Sequence, residues 1–386
     1  MAADEPPEVP YPRDAPMSAG PGDAAPDARA AWWIYRGTGR PLPEGRFAAA
    51  LPPPPPWRAF DGGPPLSPPP ADERDLVRRL GPVSTRPRQA DPAEVDAVNA
   101  ALFLRRPLLV TGEPGVGKST LAYRITRELG LGRVLRWPIG SRSTLRDGLY
   151  EYDAIGRAQD AATGRGTLAR QTGELPGAPV SGDSGAAAVP ADAGVGHYLT
   201  LGPLGTALLP YELPRVLLVD ELDKSDIDLP NDLLDVLEEG EYGITELSRV
   251  SSREPVVKVH TDDPDGTADI VRGRVRCRAF PIVVITSNGE REFPPAFLRR
   301  CLRFSMGEPD EARLADMVAA HFAERSDERT RRLVRSFLEH RSSHRGLAAD
   351  QLLNAVYLAT SGAREPDAGW ERLLDLVWQR LEVAPE

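Results

Sequence analysis

The sequence predicts an α/β protein with three parts. A three-layer αβα domain spans residues 91–306, an all-α domain 307–386, and a proline-rich, mostly disordered tail 1–90. Three observations carry this. From residue 91, short continuous β-rich apolar runs alternate with helical patterns, as in a parallel sheet buried on both faces. After Pro309 only helical periodicity remains. Residues 1–90 hold 21 of the 40 prolines, and such a segment buries too little apolar surface to offset its chain entropy.

Two features interrupt the tail, AWWIYRGTGR (Ala31–Arg40) and PWRAF (Pro56–Phe60). The aromatic motif at 31–40 reads as a docking element for a partner, or as a piece that folds back on its own domain. Order is expected from DPAEVDAVNAALFLRR. There Asp91 is an N-cap, Pro92 suits the first helical position and Glu94 completes a capping-box pattern. Strands follow at 107–112 (PLLVTG), 133–139 (RVLRWPI), 215–220 (RVLLVD), 281–287 (PIVVITS) and 301–306 (CLRFSM). Residues 160–196, rich in Gly, Ala and Ser, read as a flexible insertion. Residues 241–280 read as hairpin material, with EYGITEL, PVVKVHT and RGRVRCRAF set apart by the turn signal DDPDG. Helices are expected over 310–324, 327–341, 346–361 and 368–382.

Composition narrows the function classes. A net charge of -10 argues against surface-wide attraction to nucleic acid or to anionic membrane. No apolar run approaches the ~18 residues of a membrane span, and MAADEPPEVPYPRD has neither the basic start nor the apolar stretch of a secretory signal. The two cysteines, Cys277 and Cys301, lack metal-ligand spacing and fit a reducing cytoplasm. Only three of the 47 basic residues are lysines, Lys118, Lys224 and Lys258, so a lysine at a chemically special position is informative.

GEPGVGKS, Gly112–Ser119, follows an apolar strand and precedes the helical STLAYRITRELG, closed by Gly130. This is the P-loop pattern G-x-x-x-x-G-K-[ST] in its required context. The expected phosphate-binding set is Gly112, Glu113, Pro114, Gly115, Val116, Gly117, Lys118, Ser119 and Thr120. Its glycines let successive N–H groups curl around phosphate oxygens at a helix N-terminus. Lys118 supplies a charge to the β/γ-phosphates of a nucleotide, and Ser119 a hydroxyl to Mg²⁺. RVLLVDELDKS then places Asp220 in the Mg²⁺ shell and Glu221 against the attacking water. IVVITSN ends in Asn288, placed to position that water between the P-loop and the acidic strand. DKSD (Asp223–Asp226) is one residue from a guanine-reading pattern but follows the Mg²⁺ strand directly, too close to reach a base. His340 and His344 are four apart, have no third ligand, and read as surface histidines.

Over residues 91–386 the chain resembles the AAA+ ATPases of the ASCE class of P-loop NTPases, and among them the MoxR-like group. The stretch LGPLGTALLPYELPRVLLVDELDKSDIDLPNDLLDVLEEGEY is closest to that group, and the hairpin before IVVITSN is similar to its pre-sensor hairpin. The segment from Leu149 to Tyr198 stands where the group has its helix-two insert. The resemblance implies a C-terminal helical lid over 307–386. It also implies an arginine reaching the neighbouring subunit's γ-phosphate: Arg300 in FLRRC, with Arg299 as neighbour or substitute. Arg345 would be the sensor-two arginine. It further implies a ring homo-oligomer, a hexamer, that hydrolyses ATP to remodel or activate a protein partner such as a von Willebrand A-type protein. Two other readings stand beside it: an AAA+ subunit of a nucleic-acid-directed defence complex with a nuclease, and a non-hydrolysing nucleotide switch, against which Glu221 and Asn288 count.

Overall fold

In chain order the first strands are β1 (Leu108–Thr111), β2 (Leu135–Pro138), β3 (Tyr150–Tyr152), β4 (Leu199–Leu201) and β5 (Val216–Asp220). They are followed by β6 (Glu241–Gly243), β7 (Val256–His260), β8 (Thr267–Val271), β9 (Arg274–Arg276), β10 (Ile282–Ser287) and β11 (Leu302–Ser305). The computed structural model describes residues 32–84, 87–88, 90–160, 194–322, 328–343, 349–361 and 370–378. Two units are distinguished, Met1–Trp33 and Ile34–Glu386. Residues 1–31 of the expected tail and 161–193 of the expected insertion lie outside the described residues.

Five strands form a parallel sheet in the order β11-β1-β10-β5-β2. Every residue of β5 and β10 is buried, because VLLVD and IVVITS offer no polar face to leave in water. The register sets Leu109 level with Ile285 and Arg303, so the C-terminal ends of β1 and β10 meet at one edge. All five expected strands are present, each within two residues of its expected limits.

A second sheet runs β3-β4-β7-β8-β9-β6. Its β7–β8 hairpin alternates exposed and buried side chains, as VVKVH and TADIV prescribe. The expectation of a strand through EYGITEL holds only for Glu241–Gly243. Thr245–Val250 is helical, and Ile244 and Leu247, three apart, bury the same face. The period there is that of a helix rather than a strand.

Residues beyond 310 form the helices Glu311–His321, Glu328–Ser343, Ala349–Thr360 and Trp370–Val377. They enclose their own core around Leu314, Phe337, Leu352 and Val356. Among the described residues no helix is long and apolar enough to cross a membrane.

The expectation of a mostly disordered tail to residue 90 is corrected from Ile34 onward. Ile34 and Tyr35 are buried, and Asn99 Oδ1 accepts their backbone N–H groups at 2.8 and 3.1 Å. Glu128 receives the N–H groups of Arg36, Gly37 and Gly39 and the hydroxyl of Thr38. Farther along, Phe47, Arg58 and Leu76 are buried, and Leu66 bridges to Tyr211. The physical reason is that proline-rich chain loses little entropy on ordering, while polar side chains buried elsewhere satisfy its backbone. The Ile34–Arg40 half of the aromatic motif therefore folds back on its own domain.

Glu94 does not close a capping box. Asp91 caps the helix Pro92–Leu104 through Ala93 N–H. The Glu94 carboxylate, 2% exposed, instead receives both Nη groups of Arg88 at 2.9 and 3.0 Å, Arg124 at 3.3 Å and the Tyr35 hydroxyl at 2.9 Å. Burial raises its pKa, but Arg124 and Arg88 outweigh that and hold it down at about 2. Replacing it leaves two guanidinium groups without their anion, so Glu94→Gln is expected to cost about 3 kcal/mol. A depressed pKa contributes stability above the unfolded value of 4.5 and loses it as pH falls toward 2. Denaturant midpoints of wild type and variant should therefore differ fully at neutral pH and converge below 4.5.

Candidate functional site

At the end of β1 the chain enters the P-loop. Gly112, Gly115 and Gly117 have φ of 151°, 77° and 94°, conformations that side chains other than glycine strain to adopt. A Cβ on Gly112 would also lie 2.5 Å from the carbonyl oxygen of Met306, just beyond β11. The helix Thr120–Leu129 starts immediately after, with the Thr120 hydroxyl closing the loop onto Gly117 O at 2.6 Å.

Lys118, only 6% exposed, points back into this loop. Its ammonium donates to Gly112 O at 2.8 Å, Glu113 O at 2.9 Å and Asn288 Oδ1 at 2.7 Å. All three acceptors are neutral, and among the described residues no carboxylate lies within ion-pair distance. Burial pushes the ammonium below its usual pKa, with Asp223 and Glu221 acting weakly the other way. A buried cation with no anion in contact, in a glycine-rich loop that leads into a helix N-terminus, could hold a phosphate.

The acidic strand ends beside it. The Asp220 carboxylate is buried, yet it accepts from Ser119 Oγ at 2.6 Å, Thr286 Oγ1 at 2.9 Å and Arg136 Nη2 at 2.8 Å. Burial alone would raise its pKa; these hydrogen bonds hold it below the usual carboxylate range. Ser119 and Asp220 thus present adjacent hydroxyl and carboxylate oxygens, a hard donor pair suited to Mg²⁺. Glu221 sits at φ 64°, its N–H held by Thr286 Oγ1 and its carboxylate by Lys224 Nζ at 2.8 Å. That backbone turn carries the carboxylate off the line of β5 while leaving it half exposed. Asn288 follows β10, between β1 and β5, and Asp223 accepts its N–H at 2.8 Å and that of Glu290 at 3.1 Å.

These groups open on a cavity of about 550 Å³. Lys118, Ser119, Glu221 and Asn288 line one side, Thr38, Gly39 and Arg88 another, and Leu314, Met317 and Leu353 of the helical domain a third. The helical domain also touches the loop directly, Ala349 N–H donating to Gly115 O at 3.3 Å. The structure therefore brings together the P-loop set, Asp220, Glu221 and Asn288.

Arg299 and Arg300 do not line this cavity. Arg300 Nε donates to Glu238 Oε1 at 2.8 Å and Nη1 to Ala296 O at 3.3 Å. Arg299 is exposed, and its backbone carbonyl accepts from Arg106. Arg345 and His344 lie outside the described residues. His340 packs on Trp378 with 5.0 Å between ring centroids and bonds Ser336 O through Nδ1.

Sequence reasoning missed four groups here. Arg136 sits within a strand whose burial alternates, and its outward position beside Asp220 follows from the β2–β5 pairing, which a single sequence does not state. Thr286 sits inside an apolar run, which marks it as strand and not as a site residue. Asp223 stands out in the sequence only through its place in DKSD. The Thr38–Gly39 wall lay in the segment expected to be disordered. No family model and no curated protein matches the chain.

Proposed function

We propose that this chain is an ATPase of the AAA+ type, close to the MoxR-like group, working as a ring homo-oligomer to remodel or activate a protein partner. The observation that carries the ATP-binding core of this reading is the Lys118 ammonium, buried without an anion among loop carbonyls and next to the Ser119–Asp220 pair. The sheet order supports it, because the Asn288 strand separates the P-loop strand from the acidic strand, as in the ASCE arrangement.

In this reading Lys118 and the loop N–H groups hold the β- and γ-phosphates. Ser119 and Asp220 would hold Mg²⁺, which neutralises charge developing on the phosphates. Glu221 accepts a hydrogen bond from the attacking water and aligns it, once its carboxylate leaves Lys224. Asn288 shares Lys118 with the phosphates and fixes the opposite side of that water. Arg300 of an adjacent subunit completes the charge stabilisation.

Two variants test the assignment by separating binding from turnover. Lys118→Ala is expected to lose ATP binding in equilibrium titration. Glu221→Gln should bind ATP with affinity near wild type and release phosphate at least 100-fold more slowly. Turnover by Glu221→Gln at the wild-type rate would remove Glu221 from its role.

A further inference from the structure

We infer that Glu238 is the positioning residue for the Arg300 guanidinium, aiming its Nη edge outward to a phosphate held by a neighbouring subunit. The inference rests on the reading of Arg300 as a residue that acts across a subunit boundary.

Glu238 lies in the last turn of the helix Leu229–Glu239, which packs against the short helix Pro295–Leu298 that leads to Arg300. Its carboxylate is bracketed by two guanidinium groups. Oε1 receives Arg300 Nε at 2.8 Å, and Oε2 faces Arg58 Nη2 at 3.5 Å. Arg58 is itself fixed. It is 4% exposed, donates to Leu237 O at 2.6 Å and Glu238 O at 3.2 Å, and lies over the Phe280 ring at 5.2 Å. The carboxylate thus has one oxygen braced by a buried cation and the other free to orient Arg300.

How Arg300 is gripped decides between orienting it and storing it. A guanidinium offers five N–H donors. Here Glu238 takes Nε and Ala296 O takes one Nη1 donor, and the remaining Nη donors have no partner among the described residues. The contrast within the same protein is Arg215, fully buried and gripped by Asp263 through both Nη groups at 2.8 Å. Arg215 is locked, whereas Arg300 is held by its inner nitrogen with its fork left open. That is the presentation a phosphoryl oxygen requires. Among the described residues the side chain of the neighbouring Arg299 has no hydrogen bond or ion pair of this kind, and a preorganised donor stabilises developing charge better than a mobile one.

The test uses full-length protein and ATPase kinetics. Glu238→Ala should keep KM within about twofold of wild type and lower kcat by on the order of 10- to 100-fold, the cost of a misplaced group. Glu238→Gln, whose amide oxygen still accepts from Nε, should fall between the two and serves if the alanine variant does not fold. The defect should lie in the neighbour's site. Mixing Glu238→Ala with Glu221→Gln should restore part of the activity, and mixing it with Arg300→Ala should not. Adding Glu238→Ala to Arg300→Ala should cost nothing further. Wild-type kcat in both Glu238 variants, with Arg300→Ala impaired, overturns the inference and leaves the Arg300 reading intact. A Glu238→Ala defect that Glu221→Gln cannot complement also overturns it. Wild-type turnover in Arg300→Ala removes the reading on which the inference rests.

Discussion

Arg300→Ala is expected to bind ATP normally and to hydrolyse it ~10³-fold or more slowly, the lower range of what a finger arginine contributes. The size of the effect follows from what the residue supplies. Under the proposed function, charge developing on the γ-phosphate would be met by a guanidinium already held in place, in a site from which the helical domain excludes part of the solvent. The binding of ATP should survive, because every group facing the cavity of this chain comes from elsewhere. Equimolar mixing with Glu221→Gln should raise activity above either protein alone, since some interfaces then join a sound site to a sound arginine. The measurement is phosphate release against mixing ratio, with assembly followed by light scattering. Arg299→Ala should be milder, within a few-fold of wild type. If Arg299→Ala is the damaging variant and Arg300→Ala the mild one, the roles of the two are exchanged.

Removal of residues 1–90 is expected to abolish folding rather than merely recruitment. The segment contributes Ile34, Tyr35, Phe47 and Leu76 to the interior. At about 1.5–3 kcal/mol for each buried apolar side chain, its loss approaches the whole 5–15 kcal/mol by which a domain is stable. The truncation also strands Asn99, Glu94 and Glu128, polar side chains buried against the segment. Each such unpaired group costs roughly 1–3 kcal/mol or more. The expected result is insoluble protein, or soluble protein with no cooperative thermal transition. A chain beginning at Asp91 that unfolds cooperatively near the wild-type temperature would show that the segment is dispensable.

What the sequence made visible was local. Three strands of the parallel sheet, β1, β5 and β10, are continuous apolar runs that no other element explains, and the P-loop is a contiguous pattern whose glycines announce their backbone angles. The rest depended on pairings between distant residues. Nothing in NAALFL marks Asn99 as the partner of a backbone more than sixty residues upstream. Nothing in TRELG says that Glu128 is turned toward Arg36–Gly39 rather than to water. A proline-rich composition measures what a segment can bury alone, and this one is ordered by side chains it does not contain. Glu94 shows the same limit at shorter range, since its spacing fits a cap and its burial selects Arg88 and Arg124 instead. EYGITEL misleads for another reason: its three buried residues, Tyr242, Ile244 and Leu247, are spaced two and then three apart, too few to distinguish a period of two from one of 3.6.

The close approach of Gly112 to Met306 has a mechanical meaning. Met306 and Gly307 carry the chain from β11 toward the helical domain, and the Met306 carbonyl lies against the first glycine of the P-loop with no room for a methyl group between them. The loop and this connecting stretch are therefore a single joint. A shift of the Gly112 backbone toward β11 must displace the stem on which the four C-terminal helices are carried, and a swing of that stem must press back on the loop. Under the proposed function, a phosphate that moved the Gly112 backbone would therefore be felt at the stem of the helical domain by steric contact over a single residue spacing.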